Sequence, residues 1–184
     1  RIRKHGEGGH VVTTSSISGI LPTEGGGAGA YTASKFAVTG MMEILRSELD
    51  AAKLNIGASV YCPGLVATNI FELEKNVSAA FNEKGKAGPD DAAANTARIR
   101  QIIGAGMDPL EAARIVLAGI RNNDLFILSH PEFGPGLQER MEALLDSVPA
   151  TSAPAARLAQ EQVTMHNSLY VRERDKLSAR RRKA

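Results

Sequence analysis

The chain has 184 residues, enough for one domain with a sizeable core, and a hydrophobic content of 43%, ordinary for a globular protein. No run approaches the roughly 18 apolar residues of a membrane helix, and the basic start Arg1-Ile2-Arg3-Lys4 leads into no apolar stretch, so neither a membrane span nor a signal peptide is expected. The net charge is only +2, and Cys62 is the single cysteine, which rules out an intramolecular disulfide and points to a reducing compartment, the cytoplasm.

In chain order, residues 1 to 9 read as the last turn of a helix and a glycine-rich exit. Arg1, Arg3 and Lys4 suit a helix C-terminus, and Gly6, Gly8 and Gly9 stop it. His10 to Thr14 is a β-branched run bounded by glycine, a buried strand. His10 reads as a strand-edge residue, because no second His, Cys or acid stands at metal-ligand spacing. No metal site is expected. Leu21 to Ala30, with Pro22 and its glycines, reads as loop. The run Gly25-Gly26-Gly27-Ala28-Gly29 lacks the spacing of a phosphate-binding turn and is expected to form a flexible rim.

From Tyr31 to about Ala52, Ala37, Val38, Met41, Leu45 and Leu49 recur at helical spacing, with Glu43, Arg46, Glu48 and Asp50 elsewhere around the axis. Ile56 to Tyr61 is a second strand, stopped by Pro63-Gly64. Ile70 to Phe81 reads as a short helix, broken by Gly85, Gly88 and Pro89, and Asp91 to Ile103 is helix-prone. Asp108-Pro109-Leu110-Glu111 is a helix start, with a capping acid, proline at the first position and an acid inside. That helix runs through Ala113, Val116, Leu117 and Ile120 to Asn122-Asn123. Leu125 to Leu128 is a short strand, and Leu137 to Leu145 an amphipathic helix. Ala150 to Ala156 reads as linker. Between Arg172 and Ala184 the local charge reaches +5, which leaves −3 for the rest of the chain. Without interleaved aromatics this run is expected to be a solvated tail rather than a nucleic-acid or membrane patch.

Chemistry concentrates at Tyr31-Thr32-Ala33-Ser34-Lys35, read with Thr14-Ser15-Ser16. Four residues apart on a helix, Tyr31 and Lys35 share one face. A free phenol, with a pKa of about 10, is a poor acid–base catalyst at neutral pH, and a neighbouring ammonium favours the phenolate. Ser16 stands ready to hold a substrate oxygen beside it. These parts move a proton on or off an alcohol or a carbonyl.

In sequence, these are a strand closing in Ser15-Ser16, the Tyr31-x-x-x-Lys35 helix, a second strand, and Pro63-Gly64-Leu65-Val66-Ala67-Thr68. Together they resemble the C-terminal half of a short-chain dehydrogenase/reductase of the compact type, over roughly Gly8 to Pro131. The resemblance implies an α/β fold, a partial doubly wound Rossmann-type parallel sheet without its N-terminal dinucleotide-binding βαβ units. It implies an oxidoreductase interconverting an alcohol and a carbonyl with NAD or NADP, and it does not say which. Tyr31 would be the general acid/base, Lys35 would support it and reach the cofactor's ribose, and Ser16 would orient the substrate oxygen. Pro63, Gly64, Val66 and Thr68 would line the nicotinamide. Thr13 stands where the family often has Asn. The interval from Ser16 to Tyr31 is about two residues longer than the family's usual spacing, so Ser18 competes for the serine role, with Ser16 preferred because the strand fixes it and the glycine loop can absorb an insertion.

The resemblance also implies a small-molecule substrate and a homodimer or homotetramer that uses the Tyr31 helix. Residues 1–149 would be the catalytic half, 69–107 a substrate lid, and 150–184 a basic extension. The glycine-rich pyrophosphate turn, the ribose selector, the Asn-Ala-Gly stretch and the helical catalytic Asn are not found in these residues, so the chain is expected to be either a fragment of a longer enzyme or a truncated product. The competing expectation is a catalytically silent interaction module working through the long helix and basic tail.

Overall fold

The computed structural model describes residues 1–22, 28–71 and 101–182. Most of the glycine rim expected at 25–29 and most of the expected lid, with most of the helices expected at 70–81 and 91–103, lie outside the described residues.

The short basic helix α1 (Ile2–His5) ends at Gly6, whose φ of 73° is the left-handed cap that glycine takes without a Cβ penalty. Strand β1 (Gly9–Thr14) follows, and pairs in parallel with β2 (Ile56–Tyr61) along its whole length, from Gly9 opposite Ile56 to Thr14 opposite Tyr61. The third strand is shorter than expected: β3 covers Phe126–Ile127 and pairs in parallel with Val60 and Tyr61. The sheet order is β1-β2-β3, the small parallel sheet of an α/β fold.

Alternation along β2 gives each face of the sheet its own core. Ala58, Val60 and Cys62 point to one side and pack with Met42 of the long helix α2 (Gly29–Ala51). Tyr61 points to the other and packs with Ile127 and with Ala112 of α3 (Pro109–Arg121). Helices thus cover both faces, as a parallel sheet requires. Asp108 caps α3 as expected, its Oδ1 accepting from the amides of Leu110 and Glu111 at 2.9 and 3.0 Å.

The buried stripes differ from those read off the sequence. On α2 the fully buried residues are Thr39, Met42 and Arg46, while Ala37 and Met41 face outward. On α3 Ala112 and Gly119 face the sheet, and Ala113 and Leu117 do not. Arg46, expected away from the apolar stripe, is among the buried residues. It is buried because acceptors meet it there: its NH1 donates to the Ala58 carbonyl at 3.1 Å and to Asn123 Oδ1 at 2.9 Å, and its Nε donates to Asp50 at 3.2 Å. Helix α2 also begins at Gly29, two residues into the expected loop.

The C-terminal region corrects a further expectation. After α4 (Gly134–Asp146), the chain forms α5 (Ala155–Met165) and α6 (Ser168–Arg181). Helix α6 is docked, not a solvated tail. Leu169 and Glu173 are buried, and Glu173 accepts from the Leu125 amide at 3.0 Å. Glu173 also meets Arg46 at 3.7 Å and Lys176 at 2.8 Å. Arg172 reaches Asp50, and Arg180 reaches Asp124, each at 2.7 Å. The basic residues of the tail answer acids at the end of α2 and before β3, which a count over the tail alone cannot show.

Candidate active site

The end of β1, the start of α2 and the end of β2 meet at the carboxyl edge of the parallel sheet, where open α/β folds bind their ligands. A cavity of about 630 Å³ opens there. It is lined by Ser16 and Ser18, by Tyr31 and Lys35, and by Pro63, Gly64, Val66 and Thr68, so every residue singled out from the sequence faces one space. Ile17, Leu65, Ile70, Ile103 and Phe133 complete an apolar wall.

Each side chain is placed by local chemistry. Beyond Thr14 the chain leaves the strand into a short 3-10 turn, Ile17–Gly19. The Ser15 hydroxyl ties that turn to α2, donating to the Lys35 carbonyl at 2.9 Å and lying 3.1 Å from Thr39 Oγ1. Gly19 permits the approach, since a Cβ there would stand 2.7 Å from the Lys35 carbonyl oxygen. Ser16 caps the turn, and its Oγ accepts from the Ser18 amide at 3.2 Å. That contact uses a lone pair and leaves the Ser16 O–H to donate elsewhere. Ser16 and Ser18 are equally buried and both reach the cavity. Thr13, where the family often has Asn, instead donates to Met42 Sδ at 3.2 Å and belongs to the core.

One turn separates Tyr31 from Lys35 on α2, and the Lys35 ammonium lies 5.5 Å from the centroid of the Tyr31 ring. Tyr31 is half-exposed, its ring open to the cavity. Cys62, just before the turn, is buried, and burial pushes its thiol up to about 11, so it is a packing residue and no nucleophile at neutral pH.

The turn after β2 is held by several contacts and still opens to the cavity. The Pro63 carbonyl accepts from the Ile17 amide at 2.7 Å, and the Leu65 carbonyl from the Met107 amide at 2.9 Å. A side chain at Gly64 would collide with the Phe133 ring, 2.6 Å from an added Cβ. The sequence reading missed the residue that grips this turn: His130, buried, hydrogen-bonded to both Gly64 and Leu65. Its only sequence signal is its place, between the last strand and Pro131.

Among the described residues no group of His, Cys, Asp or Glu is arranged to hold a metal ion, and no helix is long and apolar enough to cross a membrane.

Residues 2–78 match the family described as short chain dehydrogenase. The Cα-dehydrogenase of Sphingobium sp. (strain NBRC 103272 / SYK-6) is 33% identical over 155 residues, 84% of this chain and 48% of that protein. A CLA biosynthesis dehydrogenase/reductase of Lactiplantibacillus plantarum is 28% identical over 73% of this chain and 47% of its own length. Among solved structures, a short-chain dehydrogenase/reductase from Burkholderia phymatum in complex with NAD superposes with a TM-score of 0.68. It is 25% identical, over 83% of this chain and 53% of that one. The chain spans about half the length of these relatives.

Proposed function

The chain belongs to the short-chain dehydrogenase/reductase family, and on that footing we propose that it forms the catalytic half of a nicotinamide-dependent oxidoreductase interconverting an alcohol and a carbonyl. The observation that carries this reading is the convergence of Ser16, Tyr31 and Lys35 on one cavity. The cavity suits the cofactor's reactive end. Its volume lies in the range of small-molecule sites, about 300–1,000 Å³, and its lining combines apolar Pro63, Leu65 and Val66 with the polar groups of Ser16, Tyr31 and Lys35.

Bound there, NAD or NADP would supply or accept the hydride that no side chain can carry. Pro63, Gly64, Val66 and Thr68 would hold the nicotinamide, and Lys35 its ribose. Tyr31 gives a proton to the carbonyl oxygen in reduction and takes one from the alcohol in oxidation. The Lys35 ammonium, above the ring, stabilises the anion left after that proton departs. Ser16 donates to the same substrate oxygen and fixes its approach; Ser18 is its competitor for this task. The apolar wall excludes water from the proton transfer.

Substrate choice is assigned to residues 69–107, whose described ends place Ile70 and Ile103 in the cavity wall. Exposed Met41 and Ile44 on the outer face of α2 support a homodimer or homotetramer built on that helix. The docked α6 removes the basis for a free basic tail as an interaction module. The lone buried Cys62 fits a reducing compartment such as the cytoplasm.

Tyr31→Phe tests the assignment. It removes the transferable proton and little else, so turnover should fall by about 10² to 10⁴-fold with cofactor Kd nearly unchanged. A variant that keeps wild-type kcat refutes the proposal.

A further inference from the structure

We infer that His130 is a positioning residue for the candidate site, a clamp that sets the Pro63–Gly64–Leu65 turn at the distance the nicotinamide needs. The inference rests on the reading of this cavity as a nicotinamide site.

His130 is buried three residues beyond the end of β3, and both of its ring nitrogens reach the turn. The Gly64 amide donates to Nδ1 at 3.1 Å. A backbone N–H only donates, so Nδ1 is the acceptor, the proton sits on Nε2, and Nε2–H donates to the Leu65 carbonyl at 2.9 Å. The tautomer is thus set by the backbone it holds. Behind the ring, Ser129 Oγ lies 2.8 Å from Nδ1 and 3.0 Å from the Tyr61 hydroxyl. Tyr61 ends β2 and reaches the cavity itself, so the chain Tyr61–Ser129–His130 runs from one strand end to the next and returns to the turn between them.

Packing closes the clamp. Phe133 stands 6.0 Å from the imidazole, centroid to centroid, and both rings press on Gly64, where a Cβ would lie 2.8 Å from His130 Cδ2. The turn is therefore held from below by side chains and on its flank by the Ile17 amide, leaving its upper face to the cavity. An imidazole suits this work because it offers one acceptor and one donor on a rigid ring, at the spacing of an amide and the next carbonyl. His130 touches neither substrate nor cofactor in this account and is not a catalytic residue.

The two bonds are separable by substitution. His130→Asn places an amide oxygen where Nδ1 was, and keeps an acceptor for the Gly64 N–H. His130→Gln reaches the Nε2 position and keeps only the link to Leu65. His130→Phe keeps the packing and loses both. In the enzyme that contains this chain, nicotinamide Kd should weaken about tenfold in the Phe variant, the equivalent of one hydrogen bond. The Asn variant should stay within about threefold of wild type, and the Gln variant should follow Phe.

These affinities are to be measured by cofactor fluorescence well below each variant's Tm, so that lost stability does not pass for lost affinity. Equal Kd in wild type and the Phe variant overturns the clamp, and so does an Asn variant no tighter than Phe. If Phe does not fold, the Asn–Gln comparison alone decides: Asn tighter than Gln supports the clamp, and equality overturns it. Failure of the underlying reading looks different. There the wild-type enzyme binds no nicotinamide, or Tyr31→Phe retains turnover.

Discussion

Lys35 sits with its ammonium 5.5 Å above the Tyr31 ring and its backbone carbonyl held by Ser15. The proposal asks it to do two things, to stabilise the phenolate and to hold the cofactor's ribose. Lys35→Met should therefore weaken cofactor Kd by about tenfold and lower kcat as well, whereas Tyr31→Phe lowers kcat alone. Fluorescence titration of the two variants side by side separates them, and an unchanged Kd in the Lys35 variant removes its second role. His10 offers a test outside the cavity. Its Nε2 lies 2.7 Å from Ser59 Oγ, and burial, aided by the charge of Arg46, holds its pKa below the ordinary imidazole value of 6.5. A lowered pKa means that the unfolded chain takes up the proton first. The stability that His10 contributes is complete above pH 6.5 and is lost as pH falls from there towards the folded value. His10→Gln, which has no proton to gain, should flatten the fall of Tm between neutral and mildly acidic pH. Equal slopes for wild type and variant would remove His10 from the account of acid stability.

Helix α6 shows what a docked element adds. Arg46 and Glu173 are both buried and lie 3.7 Å apart, in a cluster completed by Asp50, Asn123 and Lys176. Removing one partner of such a pair strands the other in a medium that solvates charge poorly, at a cost of about 3 kcal/mol. Glu173→Ala also leaves the Leu125 amide without its acceptor. The expected result is a Tm about 10 °C lower, read by calorimetry, and a shift within error would show α6 to be loosely held. None of this was legible in the sequence. Asp108-Pro109 announced a helix start because a cap is a local device, complete within four residues. The same holds for Gly6 after α1. Glu173 and Arg46 are 127 positions apart in no repeating pattern, and a charge on a helix reads as solvated until its partner is found. His130 escaped for the same reason, since its meaning lies in Gly64 and Leu65, which only the fold brings near it. Ser16, Tyr31 and Lys35 were legible because the chemistry fixes their spacing along one strand and one helix, and the fold adds only the third side, from β2.

At the scale of the whole molecule, the sheet itself points beyond the described residues. Strand β2 is buried nearly throughout, whereas β1 is half-exposed along its middle and pairs on one side only among those residues. Its Val11-Val12 core and its parallel pairing are those of an interior strand, and parallel sheets seldom leave such a strand at an open edge. The relatives are about twice as long as the span they share with this chain. In doubly wound folds the first βαβ unit holds the dinucleotide's pyrophosphate on a glycine-rich turn, and the spacing that marks such a turn is not found in this sequence. On the proposed function, the cavity would supply the nicotinamide end of the site, and the adenosine end would be held by residues outside it, with a further strand beside β1. Two measurements follow from this division. The 184-residue chain alone should bind NAD or NADP at least about 10²-fold more weakly than a protein in which those residues are joined to it, because the pyrophosphate contacts of several charge-assisted bonds are missing. The amides of Val11 to Thr14 should also exchange faster in the isolated chain, since an open edge leaves part of the strand unpaired. Equal cofactor affinity in the two proteins, with equal protection along β1, would mean that these residues hold the whole dinucleotide themselves and that the division is wrong.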